Sequence, residues 1–190
     1  MLTKSVTATL PATLLVLAWW RHGRISWRRD VAPLLPWFGL GIAAGLCTAW
    51  VERKYIGAEG AAYDLNAVQR CLLAGHVLWF YLGKLLWPVG LSFVYPRWHM
   101  DASDAWAYAG AVAALAALVG LWRLRLRSRA PLAGALFFAG SLFPALGFFN
   151  VFPFIYSYVA DHFQYLACLG VIVPVSAGLV SALSSPGWPP

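Results

Sequence analysis

The stretch Cys71-Leu-Leu-Ala-Gly-His76-Val-Leu-Trp-Phe-Tyr-Leu-Gly-Lys84-Leu-Leu-Trp87-Pro88-Val-Gly-Leu91 decides how the rest of the chain is read. It is long and apolar enough for a membrane span, which needs about 20 mostly apolar residues. Yet it carries His76, Lys84 and the Trp87-Pro88 pair. A lysine at the centre of a span costs about 2.5–3.5 kcal/mol on the insertion scale. A proline near the end breaks the helix. Whether 71–91 crosses sets which connections share a side.

The surrounding composition makes a membrane the natural solvent. Of 190 residues, 61% are hydrophobic and 11% charged, and the mean hydropathy is +0.68. Soluble domains carry about 25% charged residues, so a soluble globular class is excluded. Five further apolar segments accompany the quoted one: 5–20, 31–51, 106–122, 131–149 and 165–183. Segment 31–51 holds Gly39, Gly41, Ala43, Ala44 and Gly45, small residues that let helices approach closely. Cys47, Cys71 and Cys168 are scattered without a CxxC, giving neither a disulfide framework nor a metal site. His76, His99 and His162 lack ligand spacing, so no metal or other cofactor is expected. No cleavable signal peptide is recognisable at the start.

The net charge of +7 is gathered in two clusters, Arg21, Arg24, Arg28, Arg29 and Arg123, Arg125, Arg127, Arg129. Such clusters mark cytoplasmic loops, so both should lie on one side. They offer no soluble basic face, and no nucleic-acid partner is expected. If 31–51, 71–91 and 106–122 all crossed, three crossings would put the clusters on opposite sides. Segment 71–91 is the weakest of the three, and it is expected to be re-entrant or to lie at the surface. Irregular backbone at that depth needs cover from protein or water. The expected fold is all-α, a polytopic membrane helical bundle of about five spans plus one re-entrant or interfacial helix, with six spans as the alternative. Residues 1–183 form the membrane domain, and the breaker-rich 184–190 a linker or cut end.

Connections 52–70, 92–104 and 150–164 then share the external face. Six of the seven acids fall there, leaving Asp30 alone inside. Arg53 and Lys54 follow a span directly, as interfacial anchors or as a docking point for an anionic lipid head group. Lys84 either pairs with an external acid or contacts a lipid phosphate. In Tyr95-Pro-Arg97-Trp98-His99, Arg97 belongs to an aromatic belt or offers its planar fork to phosphate. Asp161-His162 either caps the last helix or shapes the acceptor side of a polar site.

Two stretches carry a family resemblance. Trp79-Phe-Tyr-Leu-Gly-Lys-Leu-Leu-Trp-Pro-Val-Gly-Leu-Ser-Phe-Val-Tyr-Pro96 and Tyr158-Val-Ala-Asp-His-Phe-Gln-Tyr-Leu166 resemble the membrane domains of tetratricopeptide-repeat O-mannosyltransferases. His162 stands where that family has Arg, and Phe163 where it has Tyr. The region 2–11 is similar to the family's Ser-Lys…Pro region. The resemblance implies a partial GT-C type fold in the cytoplasmic (inner) membrane. It implies transfer of a sugar, mannose by the family's name, from a polyprenyl-phosphate carrier to a protein or other acceptor outside the cytoplasm. Membrane lipid, the lipid-linked sugar and an acceptor protein are the implied partners. Arg53, Lys54, Lys84 and Arg97 would serve the carrier phosphate, and Asp161 and His162 the acceptor side. The family's catalytic acid is expected upstream of Met1 and its repeats downstream, so a fragment inactive alone is expected. The alternative is a non-catalytic membrane scaffold for a repeat domain.

Overall fold

The computed structural model describes residues 8–56, 60 and 63–184. Residues 1–7, Glu59, the side chain of Arg53 and the 185–190 part of the expected linker lie outside the described residues. Six α-helices follow in order: α1 (Leu10–His22), α2 (Leu35–Val51), α3 (Ala67–Leu86), α4 (Tyr108–Leu124), α5 (Ala130–Leu142) and α6 (Leu169–Leu183). Among the described residues there is no strand, so the fold is all-α. Two helical runs are long and apolar enough to cross a membrane, Trp27–Val51 and Ala105–Leu124. The apolar runs Ala130–Ala145 and Leu169–Leu183 are shorter.

Several boundaries shift from the expected segments, each for a local reason. Helix α3 begins ahead of Cys71 because Asn66 and Gln69 form a capping box. The Asn66 side chain accepts from the Gln69 N–H at 2.9 Å, and the Gln69 side chain accepts from the Asn66 N–H at 3.0 Å. It ends at Leu86, two residues before Pro88. Helix α5 stops at Leu142 rather than at 149, and a tight turn containing Pro144 follows. Helix α6 starts at Leu169, so Asp161 does not cap it. Asp161 instead opens a separate short turn, Asp161–Gln164.

Hydropathy alone does not set burial. In the two runs long and apolar enough to cross a membrane only 6% and 0% of the hydrophobic window is buried. Leu40, Ile42 and Leu46 of α2, with Val112 and Leu115 of α4, stand 55–67% exposed. Helix α3, which carries the lysine, is with α5 one of the two enclosed helices. Its Leu72, Leu73, Val77 and Tyr81 are at most 2% exposed and centre the core. The chain exposes 12200 Å² in all, against about 9,000 Å² for a compact soluble chain of this mass. An outer shell that is apolar and uncovered suits lipid rather than water.

Glycine contacts set the helix pairs. Helix α5 packs against α1, α4 and α6. Gly134 of α5 and Gly170 of α6 touch backbone to backbone, and a Cβ on Gly170 would meet the Gly134 carbonyl oxygen at 2.6 Å. A Cβ on Gly75 of α3 would lie 2.5 Å from the Ala111 backbone of α4. Such close approach is how helices associate where no hydrophobic drive exists between them. At the far end of α1, Gly23 closes the helix at φ 72, and the Arg129 guanidinium lies directly over it. The two arginine clusters therefore meet.

After α3 the chain doubles back. Gly90 accepts from Lys84 near the end of α3, Tyr95 and Trp98 pack on Phe80, and Trp98 also meets His76. The carbonyl of Met100 then accepts from Gln69 Nε2 at 2.8 Å, back beside the first turn of the helix. Residues 90–100 thus retrace α3 to the level at which it began before α4 starts.

Candidate functional site

The connection between α5 and α6, residues 143–168, runs along α3 against residues 92–97 and is pinned at five places. Arg70 donates to the carbonyls of Tyr63, Leu65, Gly147 and Phe148 and to Asn150 Oδ1. Phe152 is held from both sides, its N–H by Glu52 Oε2 at 3.1 Å and its carbonyl by the Tyr63 hydroxyl at 3.2 Å. Arg97 Nη2 donates to the Tyr158 hydroxyl at 2.7 Å while its guanidinium sits 4.9 Å from that ring's centre. The buried Tyr81 hydroxyl donates to the Ala160 carbonyl at 3.1 Å and accepts the Ala160 N–H at 3.0 Å. Asp161 Oδ2 accepts from the Ser92 N–H at 2.6 Å. All three polar connections named from the sequence therefore converge on α3.

Their junction holds a cation, a hydroxyl and a carboxylate. Lys84 Nζ donates to the Val89 carbonyl at 2.6 Å and to the Gly90 carbonyl at 3.2 Å. The turn needs Gly90, whose φ is 62, a value side chains disfavour. The Tyr95 hydroxyl lies 2.9 and 3.0 Å from the two Asp161 oxygens, 3.1 Å from the Gly90 carbonyl, and accepts the Ser92 N–H at 3.0 Å. The Tyr95 ring centre is 5.1 Å from Lys84 Nζ. Lys84 thus braces a turn through carbonyls rather than pairing with an acid. His162 stacks on Phe93 at 4.6 Å. Phe93 and Trp87 project 74% and 75% exposed, as an apolar rim beside the polar junction.

The structure brings Lys84, Arg97, Asp161 and His162 of the sequence candidates around residues 84–97. Lys54 stands instead over the Trp50 ring, 5.3 Å from its centre, in the turn after α2. Ser92, Tyr81 and Tyr158 were not singled out from sequence. All three lie inside the two stretches that carry the resemblance, but their roles come from pairings 61–79 residues apart in the chain. Arg70 was not singled out either; the Asn66-x-x-Gln69 capping box before it would have marked only the start of α3. Among the described residues no three His, Cys, Asp or Glu side chains group as a metal ligand set.

No family model, curated protein or solved structure matches the chain. The chemistry of the junction therefore rests on its own geometry.

Burial pushes the Glu52 carboxyl up, against the smaller opposing pull of the Phe152 N–H. Just above the ordinary carboxylate range the folded chain then holds more proton at Glu52 than the unfolded chain does. Stability from this group therefore falls as pH rises through that window. Glu52→Gln keeps an acceptor for Phe152 without a buried charge. Thermal unfolding is expected to show the variant at least as stable as wild type at neutral pH, and less stabilised on mild acidification. Glu52→Ala removes the acceptor and is expected to cost about 1–2 kcal/mol.

Proposed function

We propose that this chain is a multi-pass inner-membrane domain of a glycosyltransferase that takes sugar from a polyprenyl-phosphate carrier on the non-cytoplasmic side. The observation that carries the membrane reading is the return of residues 90–100 along α3. With α3 lying at the outer surface instead of crossing, five crossings keep both arginine clusters on the cytoplasmic side, in keeping with the contact of Arg129 and Gly23. The shorter apolar helices α5 and α6 cross as a closely packed pair, and α1 packs against α5. The junction of Lys84, Tyr95 and Asp161, rimmed by Trp87 and Phe93, then sits at the outer interface, where an apolar edge beside polar groups suits a lipid-linked substrate.

In the transfer, the bond from the sugar's anomeric carbon to the phosphate oxygen breaks and a bond to an acceptor hydroxyl forms. The acceptor proton leaves to a base, and polyprenyl phosphate departs with the negative charge. Lys84 and Arg97 neutralise that charge as it develops. A lysine ammonium has three donors, and the Val89 and Gly90 carbonyls take two. Asp161 and His162 shape the acceptor side, and Arg53 and Lys54 anchor the carrier at the interface.

The test measures binding of polyprenyl-phosphate mannose and of phosphate-free polyprenol to the chain in lipid nanodiscs. Lys84→Ala is expected to weaken the phosphate ligand about tenfold, equivalent to about 1.4 kcal/mol, and to leave polyprenol binding unchanged. A purely bracing Lys84 would move both ligands together. The rival reading, a non-catalytic scaffold, is favoured by the structural hydrogen bonds that Lys84, Arg97 and Asp161 already make. It expects no preference for the phosphate ligand even in wild type.

A further inference from the structure

A groove of about 600 Å³ runs between α1, α5 and α6, away from the polar junction. Its floor is the close contact of Gly134, Gly170 and Pro174, and Leu17, Trp20 and Phe137 form its sides. Along α6 it extends from Leu169 to Ser181, a run of about 18 Å. One leaflet's share of the hydrocarbon core is about 15 Å, so the groove is as long as one leaflet is deep. It is lined without a charged side chain. Its mouth, at Trp20 and Ser128, is flanked by the next residues in each case, Arg21 and Arg129. Both arginines are exposed, and Arg129 reaches Gly23 across the gap between α5 and the end of α1. The acid at this end, Asp30, is held by Arg29 and the Ser26 N–H.

We propose that this groove holds one acyl chain of an anionic phospholipid, whose phosphate lies between Arg21 and Arg129. The apolar walls alone would take any chain. The two guanidinium forks select the head group, because planar donors match phosphate oxygens and attract negative lipids of that leaflet. The site lies at the arginine end, opposite the carrier junction. It rests on the membrane reading and not on the sugar chemistry.

The test is native mass spectrometry of the chain released from bilayers of mixed phosphatidylcholine and phosphatidylglycerol. Wild type is expected to retain one phosphatidylglycerol in about tenfold preference over phosphatidylcholine. Arg21→Gln with Arg129→Gln is expected to abolish the preference while some lipid is still retained. Gly178→Leu is expected to reduce retention of both lipids by filling the groove. A Cβ at Gly178 meets nothing within 4 Å, so this variant folds unhindered, as unchanged helical circular dichroism would show. Equal retention of the two lipids by wild type would overturn the proposal. So would an unchanged preference in the double variant, or a polyprenyl phosphate or second copy of the chain retained in the lipid's place. Carrier binding at Lys84 is measured separately, so either idea can fail alone.

Discussion

Arg70→Met is expected to lower the free energy of unfolding by about 3–5 kcal/mol, the worth of two or more charge-assisted hydrogen bonds. A drop in Tm of about 10 °C corresponds to that loss in a chain of this size. The guanidinium carries five donors in a fixed fork, and here it reaches four backbone carbonyls and the Asn150 side chain. Those carbonyls belong to both the approach to α3 and the connection beyond α5. Without Arg70 they lose a shared partner at part-buried positions. Arg70→Lys is expected to recover little, because a single ammonium cannot span acceptors from Tyr63 to Asn150. Thermal unfolding in detergent checks the magnitude, and faster amide exchange at Gly147 and Phe148 locates it.

Gly134→Val is expected to separate α5 from α6, with a loss of several kcal/mol. A Cβ on Gly134 would enter the Gly170 carbonyl oxygen and lie 2.9 Å from Pro174 Cγ. The obstacle is backbone and ring, which cannot swing aside as a flexible side chain can. A substitution that forces such overlap costs about 1–3 kcal/mol in an ordinary core. On the proposed membrane reading more is expected, since close packing is the chief attraction between membrane helices. Gly140→Ala on the same helix is the control. Its Cβ meets nothing within 4 Å, and the gain in helix propensity is expected to be neutral or slightly stabilising. A cysteine pair placed across α5 and α6 should cross-link in the control and not in Gly134→Val.

Much of the fold was legible because apolar helices are written in composition. The apolar runs, the arginine clusters and the discordant Lys84 were enough to locate six helices and to single out α3. The break before Pro88 was read, but the other helix ends were less legible, because they depend on Asn66 and Pro144 acting on one turn each. The burial of α3 was not legible at all. A lysine and a histidine lowered its apparent hydropathy, while Tyr81, Leu73 and Val77 made it the core. Asp161 was read in part. Its place beside an external site was expected, but its tie to Ser92 and Tyr95 joins residues 66 and 69 positions apart, which no local pattern records.

That α3 lies at the outer surface without crossing can be tested by single-cysteine labelling with a membrane-impermeant thiol reagent. Cys47, Cys71 and Cys168 are first replaced by Ala. Tyr55 and Phe93 flank α3 in sequence and are 69% and 74% exposed, so cysteines there are open to the reagent. Both are expected to label from the non-cytoplasmic face, with a cysteine at Arg24 labelling from the other. Labelling of Tyr55 and Phe93 positions from opposite faces would contradict it, since α3 would then cross the bilayer.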